Sequence, residues 1–307
     1  MLFWVLACTG TNGQLLVCVT NMPMEPSFAQ RFSLETTRPS AGEIAALAEL
    51  LPAGTPVYFS AVPTIKPHEL ISAAALLRRS GLEPVVHIAA RRIGAAADLR
   101  NLLASLHGEA DLRRLLVIGG DVDTLGPYPD ALSVIQKARL REAGIEEIGI
   151  AGYPEGHPHI APDRIEAALD AKIASATAQG LRLHIVSQFS FAPERILAWL
   201  RRLRACGIAA PVKVGIAGPA SLTALLRYAR RCGVNASLRG LVSGAAAALV
   251  ARVAPDDIIA ALAAVGDLNA SPHYFSFGGT VETARYACQQ AQATRGTEHA
   301  MARQYRA

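Results

Sequence analysis

Ile148-Gly149-Ile150-Ala151-Gly152-Tyr153-Pro154-Glu155-Gly156-His157-Pro158 is the stretch on which the reading of this chain turns. Its apolar start suits a short buried strand, and the Gly and Pro residues that follow end the strand and stiffen the next turn. The resulting loop presents Tyr153, Glu155 and His157 in a nearly fixed arrangement. One unit recurs along the chain: an apolar strand, a polar residue at its C-terminal end, then a helical pattern.

Strands are predicted near residues 31–35, 55–60, 84–88, 114–118, 147–151, 182–189, 211–216 and 272–277. Most are short, β-branched and not strictly alternating, as strands covered on both faces of a parallel sheet are. Ser40-Ala41-Gly42-Glu43 has the form of a capping box and opens a helix with Ile44, Leu47 and Leu51 on one face. Pro193 opens another, with Ile196, Trp199, Leu200 and Leu203 inward and Gly207 as its stop. Ser221 to Cys232 repeats the pattern and ends at Gly233.

Eight β/α units without a break in composition predict an α/β fold, a (β/α)8 TIM barrel. An open doubly wound sheet would need a phosphate loop after its first strand, and no G-x-G-x-x-G or Walker motif occurs. Two helical segments between about 237 and 268, joined by Ala254-Pro255-Asp256-Asp257, are read as an insertion before the last strand. The barrel is expected over 25–295. Residues 1–24 are expected to form a disordered extension or to precede the true start, and 296–307 to form a tail.

The 307 residues are 51% hydrophobic and 6% aromatic, which favours close-packed helices on a sheet over an aromatic-rich β-sandwich. The formal charge of +5 comes largely from Arg on helix faces, such as Arg201, Arg202 and Arg204. Such Arg residues are solvated, and a mild positive field favours an anionic small substrate. No basic run interleaves with aromatics, so nucleic acid is not an expected partner. The apolar stretch from Met1 to Thr20 is interrupted by Thr9-Gly10-Thr11-Asn12-Gly13, so no membrane span is expected. Five cysteines without a CxxC pair indicate a reducing, cytoplasmic setting. The Ala-rich face from Ala245 to Val253 suits the barrel wall or a contact between identical subunits, and a homo-oligomer is expected.

Polar residues at the C-terminal ends of barrel strands converge on one mouth. Here these are Glu35, Ser60, His87, Gly119-Gly120-Asp121, Tyr153 with His157, and Gln188. Each also has a plain structural reading: Glu35 as a surface carboxylate, Asp121 as a loop cap, His87 as a core imidazole. His157-Pro158-His159 lacks a third ligand, so no metal site is expected. Neither a G-x-S-x-G elbow nor a Cys–His pair supports covalent catalysis.

Taken in series, Val86-His87-Ile88-Ala89-Ala90-Arg91, Ile118-Gly119-Gly120-Asp121, the Tyr153–Pro158 loop, Ser187-Gln188-Phe189-Ser190-Phe191 and Gly215-Ile216 resemble the methylenetetrahydrofolate reductase family over roughly residues 30–291. The Tyr-Pro-Glu-x-His-Pro segment is the specific part. The resemblance implies a barrel that binds FAD, takes electrons from NADH or NADPH, and reduces 5,10-methylenetetrahydrofolate to 5-methyltetrahydrofolate. It implies Glu35 as general acid, desolvated and with a raised pKa, and Asp121 as the carboxylate that stabilises a cationic iminium. It also implies Gln188 and Leu222 as substrate contacts, with Ser60, His87, Gly120, Asp121, Tyr153, His157 and Lys172 against FAD.

Departures accompany it. Glu35 is followed by Thr36-Thr37-Arg38 rather than aromatics and prolines. Gly119 stands where an Arg often precedes the Gly-Asp pair, removing a phosphate contact, and Leu222 stands where some members stack a Phe. Three alternatives therefore stay open: oxidation of methyl-tetrahydrofolate in a catabolic route, a flavin-independent reductase, and a non-catalytic folate-binding subunit.

Overall fold

The computed structural model describes residues 7–9, 15–17, 27–59, 65–123, 126–232, 234, 252–265 and 268–304. Eight parallel strands close into a barrel: β1 (Ser33–Thr36), β2 (Pro56–Phe59), β3 (Glu83–Ala89), β4 (Arg114–Ile118), β5 (Glu147–Gly152), β6 (Arg182–Phe189), β7 (Val212–Ala217) and β8 (Ala270–Phe275). Closure is made by β8, which pairs with β7 on one side and β1 on the other, setting His273 opposite Ser33 and Phe275 opposite Glu35. Around the barrel run α1 (Ala41–Leu50), α2 (Pro67–Arg79), α3 (Ala96–Ala110), α4 (Ala131–Lys137), α5 (Pro162–Ala178), α6 (Pro193–Ala205), α7 (Leu222–Cys232), α8 (Asp256–Ala263) and α9 (Thr280–Gln304). All eight predicted strands are present, with ends displaced by a residue or two, and the expected TIM barrel is the fold.

Alternation along each strand divides the core in two. Leu34, Val57, Phe59, Val86, Ile88, Leu115, Val117, Ile148 and Ile150 point outward and pack under the helices. Tyr58, Val85, Leu116, Val186 and Ile118 fill the lumen. The outward faces are therefore largely apolar, Thr36, which bonds Thr280 at 3.1 Å, being an exception, whereas inward positions are mixed, and this leaves room for chemistry inside.

Local signals fold as their physics requires. Ser40 Oγ accepts the Glu43 N–H at 3.2 Å while Glu43 Oε2 accepts the Ser40 N–H at 2.9 Å, so the capping box forms and α1 starts at Ala41. On α6, Ile196, Trp199, Leu200 and Leu203 are buried, each contributing roughly 1.5–3 kcal/mol relative to exposure. Gly207, at φ 76°, turns the chain after that helix in a backbone region few other residues adopt cheaply. Gly152 lets α6 approach, because a Cβ there would sit 2.7 Å from Trp199 Cζ2.

Two segments extend the sequence reading. Residues 7–9 and 15–17 pair antiparallel, Ala7 opposite Val17, across the Gly-containing interruption. The last helix runs unbroken from Thr280 to Gln304, past the expected limit of the barrel at 295. Of the expected insertion, α8 is described and residues 235–250 lie outside the described residues, with most of the Ala245–Val253 face. Among the described residues no helix is long and apolar enough to cross a membrane.

Candidate active site

Glu35 projects from the C-terminal half of β1, and its side chain is 14% exposed. Glu35 Oε2 faces two imidazoles: His273 Nε2 of β8 at 3.2 Å and His87 Nε2 of β3 at 3.6 Å. His273 is completely buried, and its Nδ1 lies 2.9 Å from Ser33 Oγ, which in turn donates to the Pro272 carbonyl at 3.4 Å. The backbone carbonyl of Glu35 accepts a hydrogen bond from Ser276 Oγ. The carboxylate is thus largely removed from water and faces His273 of β8 and His87 of β3.

His87 is 6% exposed, and its Nε2 has no hydrogen-bond partner among the described residues. Burial pushes its pKa down, with nearby Glu35 opposing and His273 reinforcing that fall. A buried ring nitrogen left unpaired is costly unless something else meets it.

The loop after β5 forms an aromatic–imidazole corner. Tyr153 and His157 meet edge to face at 5.3 Å, and His157 Nδ1 accepts the His159 N–H at 3.2 Å. Burial raises the Tyr153 pKa and lowers that of His157. Gln188, at the end of β6, accepts the Glu155 N–H at 3.4 Å, so this glutamine is tied to the loop. An irregularity in the β6–β7 pairing re-aims the end of β6, and Gly215 makes it possible, since a Cβ there would lie 2.4 Å from the Ser187 carbonyl oxygen.

On the β3–β4 side, Gly120 has φ 93° and brings the backbone close to Ala89 and Arg91. Asp121 follows it, 59% exposed and ion-paired with Arg92. It lies beyond the end of β4, three strands around the barrel from β1. Lys172 on α5 is 9% exposed and carries no hydrogen bond or ion pair among the described residues. Burial drives its pKa down, opposed by Asp130. Leu222, at the start of α7, is 2% exposed and offers a ligand almost no surface. Ser60 lies outside the described residues.

The strand ends therefore gather Glu35 and His87 in direct proximity and link Gln188 to the Tyr153–His157 loop. Sequence reasoning missed His273 and Ser33. The signal was available: Ser33-Leu34-Glu35 and His273-Tyr274-Phe275 alternate, so the polar members of each must share the lumen face once the strands pair.

A second buried polar group occupies the opposite, N-terminal end of the lumen. Tyr58 Oη lies 2.7 Å from His184 Nε2, and His184 Nδ1 lies 2.8 Å from Glu147 Oε1. Glu147 also pairs with Arg114 at 3.4 Å and Arg182 at 3.6 Å. Lys213 Nζ donates to Ser271 Oγ at 3.1 Å and to the Arg31 carbonyl at 3.4 Å. A Cβ at Gly149 would come within 2.6 Å of His184 Nε2, so that glycine makes the space for the imidazole.

The family model for methylenetetrahydrofolate reductase matches residues 37–238. A 5,10-methylenetetrahydrofolate reductase from Pectobacterium carotovorum subsp. carotovorum is 29% identical over 145 residues, 45% of this chain and 44% of that protein, so the chain spans less than half the length of the curated relative it matches. Among solved structures, a conserved protein of unknown function from a locus in Enterococcus faecalis matches at 13% identity and TM-score 0.44, covering 84% of this chain and 65% of the other. The 3-dehydroquinate dehydratase of Geobacillus kaustophilus HTA426 matches at 13% identity and TM-score 0.44, covering 88% and 92%. Neither structural likeness bears on function. The family match extends over more than half of the 307 residues and takes in every predicted site position except Glu35, just outside its edge. The chain belongs to the methylenetetrahydrofolate reductase family.

Proposed function

We propose that the protein reduces 5,10-methylenetetrahydrofolate to 5-methyltetrahydrofolate, with Glu35 as the general acid, FAD at the barrel mouth and NADH or NADPH as electron donor. The observation that carries the reading is the buried contact of Glu35 with two imidazoles at the barrel mouth: its Oε2 lies 3.2 Å from His273 Nε2 and 3.6 Å from His87 Nε2, with 14% of the side chain exposed. A carboxyl largely removed from water and set beside imidazoles is equipped to hold and pass on a proton, which ring opening of the folate at N10 requires.

In this reading Glu35 delivers the proton to N10, the five-membered ring opens to a 5-iminium cation, and His273 restores the proton to Glu35. Gln188 orients the pterin from the end of β6, and Asp121 offsets the positive charge from the rim. FAD, when bound, supplies the hydride that reaches the exocyclic carbon. The residues present fit that group: His87 Nε2 is buried without a hydrogen bond among the described residues, Lys172 is a buried cation with Asp130 acting on it, and Gly119-Gly120 add no side chain of their own. His87, Gly120, Tyr153, His157 and Lys172 would hold it, with Ser60 from the segment after β2.

Stopped-flow mixing of the purified, flavin-loaded chain with NADH or NADPH, then with methylenetetrahydrofolate, tests the reading. Bleaching of the flavin bands by one donor and their return on adding the folate is the expected result. A reduced flavin that the folate leaves reduced would contradict it.

A further inference from the structure

Arg91 follows β3 in a single 3-10 turn, and its backbone N–H is bonded to the Gly119 carbonyl at 3.0 Å. Its guanidinium spans the loop after β4: Nε donates to the Pro129 carbonyl at 3.1 Å and Nη1 to the Val122 carbonyl at 3.4 Å. Nη2 points the other way, over Gly119, where a Cβ would lie 3.5 Å from it. Its neighbour Arg92 is neutralised by Asp121, whereas Arg91 pairs with no carboxylate among the described residues. The Arg91 charge is felt by both Tyr153 and His157, which places it on the same mouth as the aromatic corner. Lys172 flanks the same turn, since Asp130 is the carboxylate that acts on it and Pro129 is the residue Arg91 grips.

Arg91, which pairs with no carboxylate among the described residues, and the buried Lys172 thus border the Gly119-Gly120 turn, where Arg91 and Ala89 are the neighbouring side chains. A guanidinium fixed by two carbonyls with its remaining edge open is preorganised for a planar, bidentate anion. We propose that Arg91, through Nη2 above Gly119, is the residue that receives a phosphate of a dinucleotide at this mouth. The role is not read from the residue type at 119: the cation reaches the same space from the preceding strand, and a side chain at 119 would compete with it. The inference rests on the cofactor reading above and adds the residue that sets its phosphate affinity. A pyrophosphate of FAD and one of a nicotinamide dinucleotide have the same chemistry here, and the experiment separates them.

Dissociation constants of the full chain for FAD, riboflavin, NADH and NADPH are measured by fluorescence titration, for the wild type and three variants. Arg91→Ala is expected to weaken FAD by about 10- to 100-fold, the value of a charge-assisted contact, with riboflavin unchanged. Arg91→Lys, which keeps the charge but not the fork, is expected to fall between. Gly119→Arg in the Arg91→Ala background is expected to recover about tenfold, because it returns a guanidinium to the same space. Weakened nicotinamide binding with unchanged FAD would support the phosphate role and assign its source to the donor. Equal loss for FAD and riboflavin, or no loss for any dinucleotide, would overturn it, leaving Arg91 as a loop staple. A wild-type chain that binds no flavin at all would instead sink the cofactor reading, and this assignment with it.

Discussion

The two ends of the barrel lumen are both polar and differ in how their polar atoms are matched. At the N-terminal end, Tyr58, His184 and Glu147 form a chain of contacts at 2.7 and 2.8 Å, backed by Arg114 and Arg182. A neutral His184 suits it, giving its Nδ1 hydrogen to Glu147 and accepting the Tyr58 hydroxyl, and burial holds His184 toward that neutral state. At the C-terminal mouth the contacts are longer: His87 Nε2 stands 3.6 Å from Glu35 Oε2 without a hydrogen bond, and His273 Nε2 stands 3.2 Å from the same oxygen. A buried carboxylate or imidazole is therefore no mark of function in itself. What marks the mouth is polar capacity that the protein does not use on itself.

If that contrast is right, damage at the base appears as lost stability and damage at the mouth as lost activity. Glu147→Ala strands His184 and two Arg side chains, and is expected to cost about 3–5 kcal/mol in chemical denaturation. Glu35→Ala is expected to change the same measurement less, by about 1–3 kcal/mol. Equal losses would erase the distinction.

His273→Asn removes the imidazole that faces Glu35 at 3.2 Å. Turnover is expected to fall about 10- to 100-fold, with KM little changed and the acidic limb of the rate profile displaced. Ser33→Ala acts on the same nitrogen from behind and is expected to do less. A profile that keeps its shape in both variants would mean that His273 only fills space.

Gly149→Ala drives a methyl group into His184 Nε2 and is expected to destabilise the fold by about 1–3 kcal/mol. Flavin affinity should stay within twofold, as measured by the same titration.

The gentlest probe is pH. Burial works to raise the Glu147 carboxyl, yet the His184 contact with Arg114 and Arg182 outweighs it and holds the pKa at about 2, against an ordinary 4.5. The unfolded chain thus binds the extra proton between about 4.5 and 2, so this stabilisation is whole above pH 4.5 and drains away below it. Lys213 has the opposite history: burial pulls its ammonium down to about 8 from an ordinary 10.5. Between those values the unfolded chain again holds more protons, so this contribution rises with pH across the window. Denaturation midpoints at pH 3, 6 and 9 check both slopes, and Glu147→Gln should flatten the acid one.

The barrel was legible because its outward strand faces must be apolar and its helices must start at caps; Ser40, Pro193 and Gly207 carry those signals unaided. The mouth was legible in part, since strand ends can be read one strand at a time. Reading them so sets Glu35, His87 and Gln188 at strand ends, where the fold has them, while Leu222, also named, is buried at the start of α7. Partnerships were not legible, because they depend on register around the closed sheet. That Glu147 lies opposite Arg182, and Gly149 opposite His184, is decided by the β5–β6 pairing. Ser33, His273 and Arg91 escaped for the same reason, each acting on a residue contributed by another strand.

The central claim is that the Glu35–His273 pair stores the proton used on the folate, and separate half-reactions of Glu35→Gln test it most directly. Flavin reduction by the nicotinamide donor should proceed at the wild-type rate, while reoxidation by methylenetetrahydrofolate should be lost. Reoxidation at an undiminished rate in that variant would contradict the claim.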